Sequence, residues 1–415
     1  MQFENRCAQS ADPDVVIARL SEGAPGVFDF GILFLSLMSY DLIQEITAGL
    51  RENIAIRHFI VGTCSGVIAS EIEIEEQPAA SLFLGRCSGV KISPFYLDQN
   101  ELKQMRGPTD WHRFFDLFPN ENPIFFLFPD PFLFDIQRCI RGLNIAYPDS
   151  PVAGGLASGA QYPQGNTLIL DEDVYDQGMV GFALTGDIIA DTVVSQGCRP
   201  LGQTFVVTKA EQQVIYEVSG RPFLEVFQEV AAQADAHDQM LFQQAILIGI
   251  AMDEGKDGYR RGDFLIRGLM RLDEETGAGS IGDEIHPGQS IRFHVRDAGA
   301  AIEDLDSLLA LQNKIRPRQK PAGVLVFNCT GRGAHLFSCK NHDIMSIQKH
   351  LGPVPASGFF CAGEIGRIGE RSFLHGFTNS MLLFYNKPSS RLKDTACGHF
   401  GAPCTGSSKM TDNAV

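Results

Sequence analysis

Three hexapeptides decide the fold: Val61-Gly-Thr-Cys-Ser-Gly66, Gly154-Gly-Leu-Ala-Ser-Gly159 and Gly358-Phe-Phe-Cys-Ala-Gly363. Aligned without gaps, they agree in a small residue at the fourth and fifth positions and in glycine at the sixth. Each closes a segment that opens on an apolar run: Gly31-Ile-Leu-Phe-Leu-Ser36, Pro123-Ile-Phe-Phe-Leu-Phe128 or Gly323-Val-Leu-Val-Phe327. From the opening residue to the final glycine the separations are 35, 36 and 40 positions. That is the length of a β–α–β unit, because two parallel strands need a crossover of more than about ten residues and the whole unit takes about thirty.

The segments between opening and closing runs read as helices. Ser39–Asn53 carries Leu42, Ile43, Ile46 and Leu50 at helical spacing behind Ser39 as an N-cap. Asp343–Leu351 presents Ile344, Ile347 and Leu351, and Gly352-Pro353 stops it. Each copy is followed by a further strand candidate: Ala80–Leu84, Thr167–Leu170 and Ser380–Tyr385. Between the second and third copies the texture changes. Thr204–Thr208 and Gln213–Val218 read as a hairpin through Lys209-Ala210-Glu211, and Arg221-Pro222 opens a helix over Phe223–Ala234. Asp263–Arg271 and Ser290–Val295 follow as strands, and Asp297 caps a helix over Ala300–Gln312. These patterns predict an α/β fold of two domains, residues 25–200 and 201–387, with mixed β-sheets flanked by helices and built on repeated β–α–β units. Copies one and two fall in the first domain and copy three in the second. Residues 388–415, poor in large apolar side chains, are expected to be a disordered tail.

Composition excludes several function classes. In 415 residues, 34 Lys+Arg against 50 Asp+Glu give a net charge of −16, which repels phosphate backbones and anionic lipid, so neither nucleic acid nor a membrane is expected as a partner. No apolar run reaches the ~18 residues of a membrane span; Phe30–Leu37 and Ala245–Met252 are core-sized. The first residues, MQFENRCAQSADPD, lack a basic segment leading into an apolar one, so a cytoplasmic location is expected. The 10 Cys contain no C-x-x-C pair, which argues for reduced thiols and against a zinc finger. Gly181, Gly186 and the apolar residues near them form no G-x-G-x-x-G after a strand, and no G-x-x-x-x-G-K-[ST] occurs, so the usual phosphate cradle of dinucleotide or P-loop binding is not expected.

The chain resembles the FIST sensory domain, N-terminal and C-terminal parts together, over roughly residues 25–385. The resemblance is carried by Val61-Gly-Thr-Cys-Ser-Gly-Val-Ile68, Gly154–Gly159, Arg296-Asp-Ala298 with Glu303-Asp-Leu305, Phe327-Asn-Cys-Thr-Gly-Arg-Gly333, and Gly358–Gly366 leading to Phe373-Leu-His-Gly-Phe-Thr378, all in order. It implies an intracellular small-ligand sensor of signal transduction, with amino acids as the proposed ligands, and for some bacterial members a haem that senses nitric oxide. Residues 1–24 and 388–415 are too short for an attached F-box, kinase or cyclase. A stand-alone sensor that signals through a separate protein, such as a kinase or cyclase, is therefore expected.

Candidate site residues gather at the ends of the apolar strands. The loop Cys329-Thr-Gly-Arg-Gly333 places Arg332 between Gly331 and Gly333, where backbone N–H groups and the guanidinium suit an anionic group. The alternative is a structural salt bridge to Glu364. Glu364, beside Gly363, follows a strand too apolar for a solvated carboxylate, so it needs a donor: a ligand ammonium, or Arg332 itself. Asp130 and Ser158 are the matching polar positions in the second copy, and Thr63 and Ser65 in the first. Cys64, Cys329 and Cys361 adjoin the same loops, with His375 nearby. They are either a Cys–His nucleophile or small buried side chains. His375 either ligates a noncovalent haem or satisfies a backbone group. The expected function is noncatalytic binding of an amino acid-like metabolite between the two domains, with no catalytic set, no metal site and no required cofactor. The alternatives are a haem-binding gas sensor, a cysteine-dependent enzyme and a ligand-independent scaffold.

Overall fold

The computed structural model describes residues 1–256 and 258–387, so the expected tail lies outside the described residues. Strand β1 (Gln2–Ala8) and helix α1 (Pro13–Ser21) come first. Copy one then runs through β2 (Val27–Ser36), α2 (Tyr40–Asn53) and β3 (Ala55–Cys64). A hairpin of β4 (Gly66–Ala69) and β5 (Ile72–Glu75) follows, then β6 (Ala79–Arg86) and β7 (Val90–Leu97). After α3 (Gln99–Gln104) and α4 (Pro108–Phe115), copy two repeats the series. It contains β8 (Ile124–Pro129), α5 (Ile136–Ala146), β9 (Val152–Gly155), the hairpin β10 (Leu168–Leu170) and β11 (Asp173–Tyr175), β12 (Met179–Gly186) and β13 (Ile188–Gln196).

A separate unit is inserted next. It comprises β14 (Cys198–Glu211), β15 (Val214–Val218), β16 (Arg221–Pro222), α6 (Phe223–Gln233), α7 (Ala236–Gln244) and β17 (Leu247–Ala251). It ends with β18 (Phe264–Asp273), β19 (Ala278–Ile281) and β20 (Ser290–Arg296), which join the others in one seven-stranded sheet. Helix α8 (Ala298–Ile315) leads into copy three. That copy has β21 (Gly323–Cys329), α9 (Ala334–Phe337), α10 (His342–Leu351), β22 (Ala356–Cys361), the hairpin β23 (Glu364–Ile368) and β24 (Arg371–His375), and β25 (Thr378–Asn386).

Three six-stranded sheets share one plan. At the centre of each, the opening and closing strands of one copy pair in parallel: β2 with β3, β8 with β9, β21 with β22. The three hexapeptides therefore do end comparable strands. The opening strand pairs on its other side with an antiparallel strand of its own copy: β6, β12 or β25. The closing strand pairs with a hairpin strand from a different copy: β10 on β3, β23 on β9, β4 on β22. The outermost places are exchanged too, with β7 on β12 and β13 on β25. By that rule sheet one lacks a strand that copy three would supply after β25, and β1 fills the place against β6. The Met1 amine lies 2.5 Å from Asn386 Oδ1, at the end of β25. The fold is thus α/β, with mixed sheets flanked by helices. Residue 200 falls where the inserted unit starts, while β4 on β22, β23 on β9 and β13 on β25 tie the sheets together across it.

The copies meet on aromatic rings. Phe34 packs 5.8 Å from Phe128 and 4.7 Å from Phe359, and Phe359 lies 4.8 Å from Phe128 and 6.0 Å from Phe327. A Cβ on Gly62 would fall 1.4 Å from the Phe128 ring, so the glycine makes room for it. Helix α2 buries Ile43, Ile46 and Leu50, as its spacing predicts, and α10 stops at Gly352, whose φ is +80°.

Other expectations need adjustment. Thr167–Leu170 forms hairpin strand β10, and the true counterpart of β6 and β25 is β12. The β14–β15 hairpin turns later than expected, at Gln212 with φ +53°, because β14 continues to Glu211. Helix α8 is longer than Ala300–Gln312, and Asp297 caps it by accepting from the Ala300 N–H at 3.0 Å.

Candidate functional site

The strand ends carry two polar networks of opposite character. The first uses the positions from copies one and two. Ser158 Oγ accepts from Ser65 N at 3.0 Å and donates to the Phe360 carbonyl, which Ser65 Oγ also reaches at 3.4 Å. Thr63 Oγ1 accepts from Thr167 N at 2.9 Å. The fully buried Asp130 accepts from Phe132 N, Leu133 N and Asn166 Nδ2 at 2.9, 3.2 and 3.0 Å. Every one of these side chains is satisfied by protein, so Thr63, Ser65, Asp130 and Ser158 lace the strand ends together.

The second network lies where copy three meets the inserted unit, and it is incomplete. Arg332 and Glu364 are both fully buried there, but they are not each other's ion-pair partners. Arg332 Nε and Nη2 instead donate to the two oxygens of Asp343 at 2.8 and 3.1 Å, with the Phe337 ring 5.3 Å from the guanidinium carbon. This corrects the alternative that paired Arg332 with Glu364. Asp343 reads in the sequence as a first-turn helix residue, and the short α9 folds α10 back so that its N-terminus meets the Arg332 loop. Burial opposes charge on both groups, yet their attraction holds Arg332 above its ordinary pKa and Asp343 far below the usual carboxylate range.

Glu364 has weaker support. Its Oε2 accepts from Thr378 N at 3.0 Å and Thr378 Oγ1 at 2.8 Å, while Oε1 has no partner among the described residues. Burial pushes its carboxyl up to about 8, against those bonds and the nearby Arg332 and Arg296. Arg332 Nη1, Arg296 Nε and Nη2, and Asn328 Nδ2 are buried donors without partners among the described residues, and Asn379 Oδ1 is a second such acceptor. Asn379 Nδ2 reaches Asn328 Oδ1 and Asp343 Oδ2, each at 3.3 Å, which places both amides in the same cluster. An unpartnered buried polar atom costs about 1–3 kcal/mol, and folded proteins keep few of them.

The glycines permit this crowding. A Cβ on Gly331 would meet Arg296 Nη1 at 2.5 Å, and one on Gly197, between β13 and β14, would meet the Phe377 carbonyl at 2.9 Å and Arg332 Nη1 at 3.2 Å. Gly333 adopts φ +79° against the Glu75 carboxylate. Gly363 accepts from Leu156 N at 2.9 Å through its carbonyl and belongs to the strand lacing. Phe377, a bulky residue at φ +63°, lays its ring 5.4 Å from the Arg296 guanidinium carbon.

The thiols and the histidine take quiet positions. Burial pushes Cys329 up to about 11, Cys198 up to about 12 and Cys361 well above the ordinary thiol value. His375 places Nε2 3.1 Å from the Gly366 carbonyl, and burial lowers its pKa to about 4. The structure thus brings Arg332, Glu364, Cys329 and Gly331 into one cluster and leaves His375 bonded to backbone. Sequence reasoning missed Arg296, Asn328, Asp343 and Asn379 as site residues, although Arg296 and Asn328 sit inside quoted motifs. No helix among the described residues is long and apolar enough to cross a membrane.

Two family models match most of the chain, and they divide it inside the inserted unit, between β16 and α6. A FIST N domain model matches residues 29–221 and a FIST C domain model residues 224–367. An uncharacterized protein of Mycobacterium tuberculosis is 36% identical over 365 residues, covering 88% of this chain and 92% of its own. Another, from Mycobacterium bovis, is 37% identical over 318 residues, covering 77% and 80%. The crystal structure of a cyanuric acid hydrolase from A. caulinodans aligns over 93% of this chain and 99% of that one, at 8% identity and a TM-score of 0.32, a level that carries no argument.

Proposed function

We propose, from the premise that this chain belongs to the FIST family of signal-transduction sensory domains, that it is a small-molecule sensor whose ligand occupies the buried seam between copy three and the inserted unit. The observation that carries this reading is the set of partnerless buried groups at one place. Donors on Arg296 and Arg332 match a carboxylate, and acceptors on Glu364 and Asn379 match an ammonium. An amino acid-like metabolite carries both. Its ammonium would also favour the ionised form of Glu364, which burial disfavours in the protein alone.

Signalling follows from where the groups stand. Arg296 ends β20 of the inserted unit, whereas Arg332, Glu364 and Asn379 belong to copy three. A ligand bound by both sides shifts the balance between a looser and a closer seam, and a separate protein such as a kinase or cyclase reads that difference. Thiols held above their ordinary pKa, with Cys64 and Cys361 buried, and a backbone-bonded His375 give the cysteine-enzyme and haem readings less support.

Native mass spectrometry with absorption spectroscopy on freshly purified full-length protein tests the proposal. The expected result is a small polar adduct and no haem absorption band. A haem band, or a small molecule that leaves chemically changed, overturns it.

A further inference from the structure

Away from the seam, a groove of about 750 Å³ opens where α5 of copy two, the β23–β24 hairpin of copy three and β18 of the inserted unit meet. Its volume is that of a small-molecule site. Its walls are fixed in advance. Asn144 on α5 clamps β24 by donating to the Ser372 carbonyl at 2.8 Å and accepting from Ser372 N at 2.9 Å. Arg267 on β18 spends its donors on Asp283 at 2.8 Å and on the Ile266 and Leu374 carbonyls at 2.9 and 3.0 Å.

The remaining arginines of the groove meet no carboxylate among the described residues. Arg141 reaches only Gln137 Oε1, at 3.5 Å. Arg367 donates to two backbone carbonyls, Gly369 at 3.2 Å and Ser150 at 3.0 Å. Arg371 makes no side-chain hydrogen bond or ion pair among the described residues. Two carboxylates of the groove, Asp149 and Glu370, likewise have no cationic partner among the described residues. Three guanidiniums against two carboxylates leave a surplus of one positive charge, in a chain whose net charge is −16. Ile140, Leu265, Phe373 and Leu374 add an apolar wall beside them.

We infer that this groove is a second binding site, for a small organic monoanion with a flat apolar body, such as an aryl carboxylate. The arginine forks would hold the anionic end and the apolar wall the ring. Asp149 and Glu370, without a cationic partner among the described residues, work against polyanions.

Calorimetric titration of the full-length chain with 1-naphthoate, with neutral 1-naphthamide and ATP as comparisons, tests this. Saturable naphthoate binding is expected, with the amide and ATP each about tenfold weaker or more. Arg141→Ala and Arg371→Ala should each weaken naphthoate by about tenfold while the melting midpoint stays put, and Arg371→Lys should restore part of the loss. Glu364→Gln should leave naphthoate binding as it is, so failure here and failure of the seam are distinguishable. The inference is overturned by equal binding of acid and amide, by naphthoate binding that survives both alanine variants or is lost in Glu364→Gln, or by no saturable binding at millimolar naphthoate.

Discussion

Glu364 and Asp343 share one buried cluster and their pKa values shift in opposite directions, because among the described residues Arg332 pairs with Asp343 and not with Glu364. Removing that partner has a large expected effect: Asp343→Ala strands a fully buried guanidinium and should cost about 3–5 kcal/mol in chemical denaturation. Glu364 makes stability depend on pH. Its folded pKa, about 8, lies above the ordinary 4.5, so its contribution is complete below about 4.5 and is lost as pH rises through 8. Glu73, also held at about 8 by burial, acts in the same direction. His375, lowered from 6.5 to about 4, contributes above 6.5 and loses that contribution as pH falls through 4. Between pH 6.5 and 8 the carboxyls therefore govern, and stability should fall. Urea unfolding at those two values should show a shallower fall in Glu364→Gln, and an unchanged fall would contradict the assignment. Arg332 and Glu364 were legible in the sequence because a charge set among glycines and apolar strand residues needs a partner. The partners themselves were not, since Asp343 reads as an ordinary helix start and Arg296 is brought in from a distant strand.

At the scale of elements, the repeat shows in the glycines as well as in the pairing. Gly154 and Gly358 hold the same place in their hexapeptides, and a Cβ there would fall 1.9 Å from the Leu127 carbonyl oxygen and 1.8 Å from that of Val326. The obstacle is backbone of the neighbouring opening strand, which a rotamer change does not relieve. Gly154→Ala and Gly358→Ala should each destabilise at or above the upper end of the 1–3 kcal/mol typical of overpacking, read from denaturation midpoints. Loss well below that in both would mean that the parallel pairs lie farther apart. Helices α2 and α10 were legible because their apolar spacing is regular and their ends carry Ser39 and Gly352. The hairpins were not. Strands as short as β4, β10 and β11 give too few residues for a period-2 pattern, so Thr167–Leu170 read as the counterpart of β6 when β12 is.

Over the whole molecule, closure of the three-sheet core depends on the two ends of the described chain meeting. Sequence encodes which face of a strand is apolar and not which neighbour it takes, so the exchange of strands among copies was not visible in it. The three copies were. Closure predicts that a circular permutant opened between Gly23 and Gly26, with a short linker from Lys387 to Met1, keeps β1 beside β6 and folds. Its far-ultraviolet circular dichroism and cooperative melting should match the parent, and loss of cooperative melting would contradict the closure. The seam beside the inserted unit is the central functional claim, and a thermal-shift comparison of the parent and Arg296→Met across the standard amino acids tests it most directly. The account predicts that at least one amino acid raises the parent's midpoint and that this rise is lost in the variant. The variant's own midpoint without ligand should be no lower, because the substitution removes two buried donors that have no partner among the described residues. No rise with any amino acid, or the same rise in both proteins, would contradict it.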